Sequence, residues 1–242
     1  MMLSRHLAAE ALGTALLLAM VVGSAIMVQR LAGGNAALAL LANALASSTG
    51  LLALLLAFGA AHLNPALSVS EAWRGRMAWR EALARIVAQA AGAFAGVAAA
   101  HLMFGEPVLA AATVARTGAP LWWSEFLATF GLIGVVIGCA RNRPALTPFA
   151  VAAYIASAYW FTASSSFANP ALTLARAATD TVAGIRLEDV FGYIAAQLFG
   201  AIAATVVFDW LVQPTVPMIE TSRFSGTSLY DSTCKPGAKR RA

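Results

Sequence analysis

Asn64 and Asn169 are the side chains best placed to do chemistry in this chain. Each opens an Asn-Pro-Ala triplet, Asn64-Pro65-Ala66 and Asn169-Pro170-Ala171, inside an otherwise apolar stretch. Asn is a strong N-cap and Pro suits the first helical position, so each triplet reads as the capped start of a helix. The segments that follow, 65–73 and 170–178, make roughly 14 Å of helix each, half the depth of a bilayer. A helix N-terminus carries about +0.5 elementary charge. Two such ends meeting head to head give a positive spot with no ionised side chain, and the two amides add N–H donors. That arrangement repels cations and hydronium and reorients each passing hydroxyl, which breaks a proton-conducting chain. The chemistry is selection, not reaction. No nucleophile–base set or metal-ligand spacing is apparent, so neither enzyme activity nor a cofactor is expected. Cys139 and Cys234 read as free thiols.

The elements that hold these residues must lie in a membrane. The 242 residues are 60% hydrophobic and 11% charged, with mean hydropathy +0.74, against about 25% charged in soluble domains. Six apolar segments approach the length of a crossing: 7–28, 36–59, 82–104, 122–140, 148–163 and 190–212. The first is too long for a signal peptide and is kept as a helix. With the N-terminus inside, twelve Lys and Arg fall on the inner side and four (Arg30, Arg116, Arg176 and Arg186) on the outer side. This obeys the positive-inside rule and puts both termini in the cytoplasm. The net charge of +5 is therefore topological, and nucleic acid is not an expected partner. Residues 1–213 form one membrane domain, and 214–242 read as a disordered cytoplasmic tail.

The domain is built twice. Glu10 near the start of the first span corresponds to Glu125 near the start of the fourth. Ala88-Gln89-Ala90-Ala91-Gly92-Ala93 corresponds to Ala196-Gln197-Leu198-Phe199-Gly200-Ala201, and one Asn-Pro-Ala lies between in each half. Repeat one covers about 5–104 and repeat two about 120–213. Three spans per repeat invert the second copy, so the expected fold is all-α: six transmembrane helices plus two re-entrant half-helices in an inverted repeat. Gly13, Gly92, Gly96, Gly131, Gly134, Gly138 and Gly200 read as helix-contact positions, and His101 as an interface residue.

These landmarks, together with His62-Leu63-Asn64-Pro65-Ala66 and Phe167-Ala168-Asn169-Pro170-Ala171, resemble the aquaporin or major intrinsic protein family over about residues 5–212. The resemblance implies a homotetramer in the cell membrane with a passive pore in each subunit. It also implies an outer selectivity filter. Counting without gaps, its positions fall on Ala44, Ser157, Ser166 and Leu172. Water- and glycerol-selective members carry Arg where this chain has Leu172. A neutral filter with small residues should pass solutes bulkier than water. Bacterial members that resemble this chain are associated with arsenic resistance, so trivalent metalloid hydroxides such as arsenite are the implied cargo, with glycerol-like solutes and some water. The competing readings are a general water or glycerol channel and a proton-coupled transporter using Glu10 and Glu125. The favoured role for both carboxylates is structural, holding the irregular backbone around each triplet. His62 and Arg176 are expected at the vestibules, Arg176 bound to loop carbonyls or to Asp180.

Overall fold

A computed structural model of the chain describes residues 2–59 and 61–212. The expected tail, with Cys234, lies outside the described residues. All regular structure among them is helical: α1 (Met2–Leu31), α2 (Ala36–Phe58), α3 (Pro65–Trp73), α4 (Trp79–Phe104), α5 (Ala119–Asn142), α6 (Thr147–Phe161), α7 (Pro170–Ala175) and α8 (Leu187–Leu211). Five of these are long and apolar enough to cross a membrane: α1, α2, α4, α5 and α8. The sixth, α6, has 15 residues, or about 22 Å, and is preceded by a 3-10 turn at Pro144–Leu146. The second half-helix also differs in detail from expectation. Its α-helical part is six residues long, and Arg176–Ala178 continues it as a 3-10 turn.

The duplication is visible in the packing. α1 lies against α4 and α5 against α8. A Cβ on Gly92 of α4 would overlap the carbonyl oxygen of Ala11 in α1, and one on Gly200 of α8 would overlap that of Phe126 in α5. Glycine is what lets these backbones touch. Gly138 is the exception among the expected contact positions, because a Cβ there meets nothing within 4 Å.

The two half-helices are exchanged between the halves. Ala66 of α3 packs with Ile133, Ile137, Ala201 and Ala204 from the second repeat. Ala171, Leu172 and Ala175 of α7 join the core formed by α1, α2 and α4. Each half thus buries the short helix of the other, which brings the two triplets together. The outward faces of the long helices carry exposed Leu45, Leu56, Val87, Phe191 and Phe199, a surface suited to an apolar environment.

Candidate functional site

Both asparagines cap as their sequence position demands. Asn64 Oδ1 accepts from the Ala66 N–H at 2.9 Å. Asn169 Oδ1 accepts from Ala171 at 3.0 Å and Leu172 at 3.2 Å. Their amide nitrogens do something the sequence did not indicate. Asn64 Nδ2 donates to the carbonyl of Ala168 and Asn169 Nδ2 to that of Leu63, each at 2.8 Å. The two loops are therefore cross-linked, and each NH2 keeps a single N–H for a passing solute, where the sequence reading gave it the whole group. Pro65, Ala66, Pro170 and Ala171 are buried behind them.

The acceptor carbonyls belong to unusual residues. Leu63 and Ala168 have φ of +54° and +45°, a left-handed conformation that costs free energy for residues with a side chain. Glu10 and Glu125 hold them there. Glu10 accepts from the N–H of His62 and Leu63, each at 2.8 Å, and from Gln89 Nε2 at 2.8 Å. Glu125 accepts from Phe167 at 2.9 Å, Ala168 at 2.8 Å and Gln197 Nε2 at 2.6 Å. Both carboxylates are fully buried. Arg85 adds an ion pair to Glu10 at 3.2 Å. His62 lies on the inner cavity wall, with Nδ1 3.0 Å from Ser68 Oγ.

A cavity of about 450 Å³ passes the crossed asparagines from the end lined by Glu71, Arg76 and Pro144, the end expected to face inward. Its wall is mostly aliphatic, including Leu17, Leu51, Leu132, Ile133, Val151 and Leu172. A second cavity of about 360 Å³ opens at the opposite end, beside Gln29, Asn35 and Val182, the end expected to face outward. Tyr159 alone lines both, so it stands at the division between them.

Of the four filter positions read by counting, this geometry brings two to a wall of these cavities. Ser166 and Leu172 line the inner cavity; Ala44 and Ser157 line neither. Ser157 is exposed, two residues and so roughly 200° around α6 from Ile155 and Tyr159. Ala44 is buried off the wall, and Ser47 takes the cavity face of α2. Ungapped counting transfers the family's loop lengths along with its motifs, and a shift of two residues reverses a helix face. The four-residue stripes Ser47-Leu51-Leu55 and Val151-Ile155-Tyr159 were the available signal. The Ser166 hydroxyl is buried and has no hydrogen-bond partner among the described residues, while the buried Ser47 hydroxyl lies beside Tyr159.

At the outer mouth, Arg176 is 7% exposed. Its Nε donates to the carbonyl of Ala183, one of the loop carbonyls expected for it. Asp180 is engaged elsewhere, by the N–H and hydroxyl of Thr113 at 2.9 and 2.8 Å, and those bonds hold its carboxyl below the usual carboxylate range. His101, expected at an interface, lies inside the chain. It is 1% exposed, and ties the outer loops together through the Pro107 carbonyl and Thr179 Oγ1.

A sequence profile for Major intrinsic protein matches residues 1–157. The chain is 47% identical over 220 residues to Aquaglyceroporin AqpS of Rhizobium meliloti (strain 1021), covering 90% of this chain and 94% of that protein. It is 34% identical over 167 residues to Aquaporin NIP1-3 of Oryza sativa subsp. japonica, covering 66% of this chain and 57% of the rice protein. Aquaporin NIP1-2 of the same plant is 31% identical over 164 residues, with 62% and 53% covered. Fold, crossed loops and likeness together define a membrane channel for small solutes, and not an enzyme. The chain belongs to the major intrinsic protein family.

Proposed function

We propose that this chain forms a passive pore for small neutral solutes bulkier than water, with glycerol-like polyols and trivalent metalloid hydroxides such as arsenite as cargo. The observation that carries the reading is the wall itself. It is aliphatic on most sides and carries Asn64 and Asn169, whose NH2 groups each keep one N–H beyond the bond to the opposite loop. A compact polyhydroxylated solute can accept from those N–H groups while laying its other faces on the aliphatic surface. Leaving such groups unpaired costs about 1–3 kcal/mol each. Leu172, in place of the family's filter Arg, leaves this region neutral. Ser47, Tyr159, Ser166 and Leu172 set the solute size, and the crossed asparagines exclude protons. Four chains assemble in the cell membrane with both termini cytoplasmic, as the family resemblance and the distribution of Lys and Arg suggest.

Stopped-flow light scattering on proteoliposomes tests this. Wild type is expected to conduct glycerol and arsenite as well as water. Leu172→Arg is expected to slow the bulky solutes much more than water. Fast water flux with no arsenite or glycerol flux in wild type overturns the substrate reading. Equal effects on all three solutes remove Leu172 from the filter.

A further inference from the structure

The outer cavity has a feature that conduction of neutral solutes does not require. Two guanidinium groups, those of Arg116 and Arg176, line it, and no carboxylate does among the described residues. Both lie over one ring. The Arg176 guanidinium carbon is 3.4 Å from the Phe167 centroid and that of Arg116 is 5.1 Å away. Their separation therefore cannot exceed the sum of those distances, close enough for like charges to repel.

The acids near the pair are each engaged elsewhere: Glu125 attracts Arg176 through space but is bonded by Phe167, Ala168 and Gln197. Asp180 is taken by Thr113. Asp189 is paired with Arg186 at 3.0 Å and accepts the Arg116 backbone N–H at 2.8 Å. Arg116 is anchored by its Nε to Gly184 and its Nη2 to Val182 carbonyls, at 2.7 and 2.9 Å. Arg176 uses only Nε, toward Ala183. Its terminal NH2 groups make no hydrogen bond to another described residue and stay open to the cavity, although the residue as a whole is only 7% exposed. A guanidinium fork held in place with its outer donors open is the group that best matches an oxyanion.

We infer that the outer cavity binds a small inorganic oxyanion of phosphate or sulfate size between Arg116 and Arg176, and that the bound anion obstructs the pore mouth. The anion relieves the repulsion of the pair and uses the free donors of Arg176. It advances no further, because the inner cavity beyond Tyr159 is aliphatic and would strip its hydration without replacement. The obstruction rests on the pore reading; the binding does not.

Purified full-length protein is titrated with sulfate by calorimetry, and glycerol flux is measured with sulfate or chloride at equal ionic strength. Saturable sulfate binding is expected, weakened about tenfold or more in Arg116→Gln and Arg176→Gln by loss of a charge-assisted bond. Arg30→Gln removes an outer charge that is instead paired with Glu106, and should bind sulfate as wild type does. Sulfate should slow glycerol flux over the same concentration range in wild type and Arg30→Gln only. Arg176 also anchors a loop, so Arg116→Gln decides the matter if Arg176→Gln fails to fold. No saturable binding, or equal binding by wild type and Arg116→Gln, overturns the site. Specific binding with unimpeded flux overturns the obstruction. Binding in a protein that passes no glycerol even in chloride leaves the site standing and refutes the pore reading instead.

Discussion

Glu125→Gln separates a structural carboxylate from a proton carrier. In the wild type the carboxylate receives three donors: the N–H of Phe167, the N–H of Ala168 and Nε2 of Gln197. A glutamine has one acceptor oxygen and an NH2 that must face at least one of those donors. Gln197 cannot rescue the site by turning its amide over. Its Oε1 has no partner among the described residues, so turning would leave an NH2 there, buried and unsatisfied, and would give up the 2.8 Å bond to Thr173. One orphaned backbone N–H and one weakened charge-assisted bond together cost about 3–5 kcal/mol. Ala168, at φ +45°, is then free to relax. Thermal unfolding of the purified protein, followed by tryptophan fluorescence, should show a midpoint lower by roughly 10 °C, with solute flux falling in proportion to folded protein. A variant that unfolds like wild type but loses only uptake driven by a proton gradient would refute this reasoning and make Glu125 a proton carrier.

Three further outcomes follow from the geometry. Tyr159→Ala, which removes the division between the cavities, should raise glycerol flux severalfold in proteoliposomes, whereas Ser157→Ala should leave it unchanged; the reverse pattern would restore the position given by counting. Gly200→Val places a side chain into the Phe126 carbonyl and should cost about 3 kcal/mol or more, seen as a lower unfolding midpoint. Gly138→Ala meets open space and should stay within about 0.5 kcal/mol of wild type.

What the sequence revealed and what it concealed divide along a physical line. Glu10 and Glu125, Gln89 and Gln197, Gly92 and Gly200 and the two triplets were legible because each role belongs to a residue type in a local context. A buried carboxylate needs donors, a cap needs an amide, a close helix contact needs glycine. Ser157 and Ala44 fall off the walls of the two cavities because facing is a matter of phase. Phase depends on the length of the connecting loops, which no residue type encodes. The bonds from each asparagine to the opposite loop were invisible for another reason. They join groups 104 and 106 residues apart, and only the exchange of α3 and α7 between the halves brings them together.

Those crossed bonds bear on how the protein is made. Synthesis delivers the Leu63 carbonyl to the membrane 106 residues before the amide that will satisfy it. Until Asn169 arrives, the first loop holds a left-handed residue with an unmatched acceptor, and the core of α1, α2 and α4 lacks Ala171 and Leu172. Neither repeat is therefore a finished folding unit. The crossed bonds can close only when both triplets are in place, like a clasp whose two hooks engage together.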